Sequence, residues 1–269
     1  MFAALRLIHP APAAAVVALS AALGAILATQ AGLPIDEAWA LTVLAVAGSQ
    51  VFTGATNDIA DRVRDADARP EKPIPAGELS LNAATWIASI GLAVQLAASW
   101  RLGTLALALG VAASTSALAY NMALSRTPFS ALPYLVSFGL LPAWIAAGVG
   151  VPLERVLPAI PLLAPFAVAA HLANTLRDFD ADAAGGSRSL AQVLGRQASS
   201  MLAAGLALAV GLGVGGALLI GGRAGPASVG LGLVGLLAIV LGARSERRLW
   251  HGILVAAVSW TAAWALSTA

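Results

Sequence analysis

Residues 55–77 read ATNDIADRVRDADARPEKPIPAG, and this polar stretch is followed by an apolar segment. Together with Glu78 it holds ten charged side chains, in a chain that has only 15 basic and 13 acidic ones. The next segment, 79–100, carries no charge at all. Charged residues make up 10% of the chain, whereas about 25% is usual in soluble domains. The contrast indicates membrane-spanning segments separated by polar loops.

Uncharged apolar runs recur along the whole chain, and each is long enough to cross a bilayer, which takes about 20 residues for a core of roughly 30 Å. The runs are roughly 11–30, 38–57, 79–100, 102–125, 127–153, 156–176, 197–222, 224–243 and 249–269. The sequence therefore predicts an all-α polytopic membrane protein with nine transmembrane helices, formed by a single domain over residues 1–269.

The basic residues predict the orientation of these helices. Nine spans leave twelve basic residues on the side of the N-terminus and three on the other side, Arg101, Arg155 and Arg223. The positive-inside rule makes the first side cytoplasmic. We expect a cell inner membrane protein whose N-terminus and polar loops are cytoplasmic and whose C-terminus lies outside, with membrane lipids as neighbours.

Composition argues against nucleic-acid binding and excludes cysteine chemistry. The net charge of +2 comes from basic residues in short loops, which does not fit a nucleic-acid partner. The chain has no cysteine, so disulfides, thiolate metal sites and a cysteine nucleophile are ruled out.

The first polar loop carries carboxylates at helical spacing. If the second span continues as a helix through Asp65, then Asp58, Asp61 and Asp65 occupy one face, at i, i+3 and i+7. Three acids on one face repel one another unless cations bind there. Mg²⁺ suits such a site because it takes oxygen ligands from one or two carboxylates and completes its shell with water and substrate phosphates.

A second polar loop repeats the pattern after the sixth span. Asn174, Asp178 and Asp182 stand at i, i+4 and i+8, with His171 one turn earlier. Two acidic faces at the same membrane depth are expected to clamp a diphosphate through two or three Mg²⁺ ions. Solvated loop charges would explain one lone Asp, but ionisable residues at span ends that face a bundle interior are candidates for function.

The segments NDIADRVRD and RPEKPIPAGELS resemble the first signature of the UbiA superfamily of intramembrane prenyltransferases, Asn-Asp-x-x-Asp-x-x-x-Asp and its usual continuation. The segment NTLRDFDADAAGGSRSLAQVLG resembles the second signature, and YNMALSRTPFSALPYLVSFGLLP resembles the Tyr-containing loop and fifth span. The resemblance implies a helical bundle around a central cavity and Mg²⁺-dependent transfer of a prenyl group from an isoprenyl diphosphate to an aromatic, quinone-precursor or other lipophilic acceptor.

The resemblance also implies roles for individual residues. Metal and diphosphate would be bound by Asn57, Asp58, Asp61 and Asp65 in the first motif and by Asp178 and Asp182 in the second. Candidate diphosphate contacts are Arg69, Lys72, Arg126 and Arg188, and Asn174 belongs to the same set. Tyr120 would lie near the reacting carbon and stabilise a prenyl cation through its ring. The family often has Arg after the last Asp of the second motif, where this chain has Ala183.

Two alternatives to prenyl transfer remain, and the first of them uses the same residues. A membrane terpene cyclase of the same superfamily would ionise a prenyl diphosphate and close the chain on itself without an acceptor. A transporter is disfavoured because the acids lie at span ends and the span interiors lack charge. The sequence leaves open the prenyl chain length, the acceptor, the oligomeric state and whether His171 acts as a base.

Overall fold

Residues 2–222 and 224–267 are described by a computed structural model of the chain, and this part of the chain is helical and contains no strand. Arg223, one of the three basic residues counted on the outer side, lies outside these ranges, and so do the last two residues of the predicted ninth span. The α-helices are α1 Phe2–Leu7, α2 Pro10–Gln30, α3 Glu37–Ala68, α4 Leu81–Leu102, α5 Thr104–Ala119, α6 Leu132–Gly148, α7 Ile160–Arg177, α8 Phe179–Ala184, α9 Leu190–Leu194, α10 Arg196–Ile220, α11 Pro226–Gly242 and α12 Glu246–Leu266.

The all-α class predicted from the sequence is confirmed. Seven helical segments of the described chain are long and apolar enough to cross a membrane: Pro10–Gln30, Glu37–Ala68, Leu81–Leu102, Thr104–Leu124, Leu153–Arg177, Arg196–Ile220 and Glu246–Leu266. Two shorter apolar helices, Leu132–Gly148 and Pro226–Gly242, fall below that length. The count of nine spans and the central cavity therefore stay predictions.

Helix α3 has 32 residues, and its two ends have local causes. Asp36 caps its beginning, since the Asp36 carboxylate accepts a hydrogen bond of 2.9 Å from the amide of Ala38. At the other end Arg69 leaves the helical region, with φ −144° and ψ 61°, because a residue that precedes proline, here Pro70, disfavours helical geometry. The helix therefore runs beyond the length of a span and carries the first acidic motif.

The described chain divides into two compact units, and the chain passes between them after Ser125, within α6 after Gly139, and after Val156. The single domain predicted over 1–269 stays a prediction. The first unit comprises Met1–Ser125 and Leu140–Val156. Its central contact is between α3 and α4, where Gly48 and Gly91 let the backbones touch. A Cβ atom on Gly48 would come 2.6 Å from the carbonyl oxygen of Gly91, closer than any real contact. Small residues at such crossings are typical of membrane helices.

The second unit comprises Arg126–Gly139 and Leu157–Ala269. Its core lies among α7, α10 and α12 and centres on Trp260, which is 5% exposed. The ring of Phe166 meets Trp260 edge-on, with centroids 5.4 Å apart. Gly211 and Gly235 leave the space that the indole fills, because a Cβ on either would overlap its ring. This core therefore includes α7, which is the helix that leads into the second acidic motif.

Candidate active site

The first acidic motif lies on the last turns of α3, as the helical spacing predicted. Asp58, Asp61 and Asp65 are all within the helix, which continues to Ala68. Asp58 is 2% exposed and Asp65 is 1% exposed. Carboxylates buried to this degree require a partner.

The partner is Lys72, which reaches back from the loop after α3. Its Nζ donates hydrogen bonds to Oδ1 of Asp58 at 2.8 Å and to Oδ2 of Asp65 at 2.7 Å. Burial lowers the pKa of Lys72, but the hydrogen bonds and charges of Asp58 and Asp65 outweigh this effect, so that its pKa lies above the ordinary lysine value. The ammonium therefore stays charged and links Asp58 to Asp65, which lies two helical turns further along α3.

The N-terminal segment contributes His9 to the same group of side chains. Nε2 of His9 lies 3.0 Å from Oδ1 of Asp58, the oxygen that Lys72 also contacts. His9 has φ 51°, the only positive φ of a non-glycine residue in the described chain. Such strain persists only where the surroundings fix it, and it occurs at functional sites. No spacing in the sequence links positions 9 and 58, so only the structure reveals this contact.

Arg6 joins the N-terminal segment to the loop that carries Lys72. Its guanidinium forms an ion pair of 2.9 Å with Glu78 and donates to the backbone carbonyl of Glu71. The contacts fall on both sides of Lys72 along the loop. A cavity of about 420 Å³ opens at this point, and its lining includes Arg6, His9, Asp58 and Lys72.

Asp61 has a different environment from the two other aspartates of the motif. Its Oδ2 lies 2.7 Å from a guanidinium nitrogen of Arg64 on the next turn. Within the described residues, no three His, Cys, Asp or Glu side chains are gathered as a metal site. The donors nevertheless fit Mg²⁺, because Asp58 and Asp65 already direct carboxylate oxygens at one cation, the ammonium of Lys72, and Mg²⁺ prefers such oxygens.

Asn57 and Tyr120 are connected through Asn121. The chain forms a π-helix at Tyr120–Leu124, closed by a hydrogen bond of 2.9 Å from the amide of Ser125 to the carbonyl of Tyr120. Nδ2 of Asn121 donates to the carbonyl of Thr53 at 2.9 Å, and Asn57 donates to Oδ1 of Asn121 at 3.4 Å. The side chain of Asn121 therefore ties the π-helix that begins at Tyr120 to α3 near the first motif, and such helices are frequent at functional sites.

The second motif differs from the continuous helical face that its spacing predicted, and that prediction is wrong. Helix α7 ends at Arg177, Asp178 has φ −107° and ψ 14°, and α8 begins at Phe179. Asn174 therefore lies on α7, Asp178 at the junction and Asp182 on α8. One cause is local: the hydroxyl of Thr175 bonds to the carbonyls of His171 and Leu172 at 3.1 and 3.0 Å. Such back-bonding competes with the helix and bends it.

Arg188 lies in the turn after α8, and Arg126 contacts this turn. The guanidinium of Arg126 donates to the carbonyl of Gly185, and the backbone carbonyl of Arg126 accepts a hydrogen bond of 3.0 Å from the amide of Arg188. The Arg188 side chain is exposed. Arg126 therefore contacts the turn that follows Asp182, and Arg188 belongs to that turn.

His171 is fully buried and is tied to the same turn through Ser130. Its Nε2 lies 3.0 Å from the hydroxyl of Ser130, and that hydroxyl accepts a hydrogen bond of 3.1 Å from the amide of Leu190. The ring of Tyr134 lies 4.5 Å from the imidazole, centroid to centroid. These contacts connect His171, through Ser130, to the chain that follows the second motif.

The apolar helices and the two acidic motifs define the chain as an integral membrane enzyme. The family model described as "UbiA prenyltransferase family" matches residues 17–252. The chain belongs to this family and is a prenyltransferase.

Similar proteins support the same conclusion. The chain is 33% identical over 195 residues to a digeranylgeranylglyceryl phosphate synthase of Methanoculleus marisnigri, a match that covers 71% of this chain and 68% of that one. An apo UbiA homologue of Aeropyrum pernix is similar with a TM-score of 0.72 at 21% identity, over 92% of this chain and 96% of that one. A UbiA homologue of Archaeoglobus fulgidus bound to GPP and Mg²⁺ is similar with a TM-score of 0.70 at 14% identity, over 99% and 100%. These two likenesses confirm the fold.

Proposed function

We propose that this prenyltransferase uses Mg²⁺ to transfer a prenyl group from an isoprenyl diphosphate to a lipophilic acceptor within the membrane. The observation that carries the proposal is the convergence of the buried Asp58 and Asp65 carboxylates on one cation, in a chain that matches the family. The UbiA homologue of known structure with bound GPP and Mg²⁺ supports Mg²⁺ as the cofactor.

The first motif binds the metal and the diphosphate in this proposal. Metal ligands come from Asp58, Asp61 and Asp65, and Asn57 contributes to the diphosphate site. When bound, Mg²⁺ neutralises the negative charge that develops on the diphosphate as the allylic C–O bond breaks. Lys72 and Arg69 donate hydrogen bonds to the departing oxygens, since basic side chains in a partly dehydrated site stabilise such charge.

The second motif takes the same role with Asn174, Asp178 and Asp182, and Arg126 and Arg188 supply positive charge beside it. Tyr120 faces the prenyl cation and stabilises it through its ring. After the diphosphate has left, an acceptor nucleophile forms the new bond to the allylic carbon of this cation and releases its proton to water. His171 has no part as a base in this proposal, and its buried contacts to Ser130 and Tyr134 support a structural role instead.

The acceptor is the finer part of the proposal. The relative in Methanoculleus marisnigri is a digeranylgeranylglyceryl phosphate synthase, a name that makes a lipid of the glyceryl phosphate type the first acceptor to test. Aromatic and quinone-precursor acceptors are the next class. A cyclase, which needs no acceptor, is distinguished by its product.

The test is a matrix of isoprenyl diphosphates of different length against these acceptors, with a column that has no acceptor. Products of the purified chain are read by mass spectrometry, with Mg²⁺ and with EDTA. We expect Asp61→Asn and Asp178→Asn to lower turnover on the order of 100-fold, as loss of metal-site groups does. Glu154→Gln, an exposed carboxylate outside both motifs, serves as the control.

Full turnover of Asp61→Asn and Asp178→Asn in Mg²⁺ would refute the assigned sites. A cyclic hydrocarbon in the column without acceptor would replace transfer by cyclisation. Substrate flux into proteoliposomes with no chemical product would revive a transporter.

The membrane orientation is a proposal as well. We place the N-terminus and both acidic motifs on the cytoplasmic side of the inner membrane, and the C-terminus outside, from the distribution of basic residues. Because the chain has no cysteine, labelling of a single introduced cysteine shows on which side of the membrane that position lies. Ala66→Cys is expected to react with an impermeant thiol reagent only in inverted vesicles, and Glu154→Cys only in intact cells.

A further inference from the structure

Lys72 is the only lysine in the chain of 269 residues, and all the remaining residues counted as Lys or Arg are arginines. This one lysine lies where two buried carboxylates of the first motif meet, with 13% of its side chain exposed. An ammonium is a compact point charge, whereas the guanidinium of arginine is a planar fork. Of the two basic side chains, lysine is the one whose charge has the compact form of a metal ion.

The contacts of Lys72 use oxygens that a metal ion would also need. Nζ of Lys72 donates hydrogen bonds to Oδ1 of Asp58 at 2.8 Å and to Oδ2 of Asp65 at 2.7 Å. A divalent cation ligated by the same aspartates would bind those oxygen lone pairs at about 2.1 Å. The ammonium and the cation repel each other and share ligands, so both cannot occupy this position.

We propose that Lys72 is a resident cation of the first motif that Mg²⁺ displaces, so that metal binding releases the ammonium from Asp58 and Asp65 toward the diphosphate. The inference rests on the proposed function and deepens it. Without metal, Lys72 prevents the two buried carboxylates from repelling each other. With metal, the same side chain becomes available as a donor to the substrate.

The surrounding contacts allow this exchange to be a movement of one side chain. Arg6 holds the loop at the carbonyl of Glu71 and at the carboxylate of Glu78, on either side of Lys72. The backbone carbonyl of Lys72 also accepts a hydrogen bond of 2.9 Å from the amide of Ala76. The cavity of about 420 Å³ that borders Lys72 and His9 gives the released ammonium space.

A simpler account makes Lys72 a diphosphate contact alone. In that case Mg²⁺ without diphosphate leaves the environment of Lys72 unchanged. The two accounts therefore differ in the absence of any substrate, which is where the test is made.

The first measurement uses the full-length chain in detergent and the single lysine as its own probe. Lys72 is modified with an amine-specific acetylating reagent at rising Mg²⁺ concentration, and the rate is read from peptide mass spectra. We expect the rate to rise severalfold and to saturate with Mg²⁺, while a lysine-containing reference peptide in the same tube keeps its rate. A rate at Lys72 that stays constant or falls overturns the exchange.

The second measurement is the affinity for Mn²⁺, used in place of Mg²⁺ and read by electron paramagnetic resonance without substrate. Removing the competing charge in Lys72→Met is expected to tighten Mn²⁺ binding on the order of tenfold. Arg101→Met, which removes an exposed cation paired with Glu37, is expected to bind Mn²⁺ as the wild type does. If Lys72→Met binds Mn²⁺ no more tightly than the wild type does, the proposed exchange is overturned.

The labelling experiment needs no variant, so it remains decisive if Lys72→Met does not fold. The outcome is also separable from the proposed function. Saturable labelling without prenyl transfer in the substrate matrix refutes the proposed function and keeps the exchange. Prenyl transfer with a labelling rate indifferent to Mg²⁺ refutes only the exchange.

Discussion

Nε2 of His9 lies 3.0 Å from Oδ1 of Asp58, an oxygen that also accepts a hydrogen bond from Lys72 at 2.8 Å. The contact joins the N-terminal segment to the first acidic motif. Packing fixes the segment nearby: Leu7 is fully buried, and a Cβ on Gly54 would come 2.9 Å from the backbone of Ile8. His9 is therefore a positioning residue for Asp58, held at a positive φ by its neighbours.

We predict that His9→Asn weakens Mn²⁺ binding on the order of tenfold, as loss of a hydrogen bond to a metal ligand does. Asparagine tolerates a positive φ, but its side chain is too short to reach Asp58. His9→Gln, whose amide nitrogen extends about as far as Nε2, is expected to recover most of the affinity. Equal weakening in the two variants would show that the imidazole contact is not what positions Asp58.

We predict that Gly48→Ala lowers the free energy of unfolding by about 1–3 kcal/mol, the usual cost of overpacking. The added methyl would meet the carbonyl of Gly91 and the amide of Gln95 at 2.6 and 2.8 Å, and a backbone cannot move aside as a side chain can. The measurement is reversible unfolding in mixed micelles. Gly205→Ala is the control, because a Cβ there meets nothing within 4 Å, and it is expected to be neutral or stabilising by up to about 1 kcal/mol.

The sequence allowed the helix class and the first motif to be predicted, because both depend on local periodicity. An uncharged run and carboxylates at i, i+3 and i+7 are visible along the chain, and α3 does continue through Asp65. The contact of His9 with Asp58 joins residues 49 positions apart, and no local pattern encodes it. The break at Asp178 was missed because regular spacing was read as a continuous helix, whereas side-chain bonds from Thr175 compete with that helix.

We predict that Ser130→Ala destabilises the chain by about 1–3 kcal/mol, because the amide of Leu190 and the imidazole of His171 lose a partner inside the fold. Thermal unfolding measures the effect. The matched control is Ser20→Ala: Ser20 is 2% exposed, and its hydroxyl has no hydrogen-bond partner among the described residues. That variant is expected to be as stable as the wild type or more so. Similar losses of stability in both variants would contradict a stabilising role for the hydrogen bonds of Ser130 with His171 and Leu190.

We predict that the stabilisation contributed by Lys72 disappears at alkaline pH. Asp58 and Asp65 raise the pKa of Lys72 in the folded chain against the opposing effect of burial, so the folded state binds the proton more tightly than the unfolded state does. The contribution is complete below the unfolded pKa of about 10.4, and it is lost as pH rises through the higher folded pKa. The difference in unfolding free energy between wild type and Lys72→Met should therefore be constant from neutral pH to about pH 10 and shrink above it. Lys72→Arg, which keeps its charge throughout, is expected to show no such decline, and a parallel decline in that variant would assign the effect to other groups.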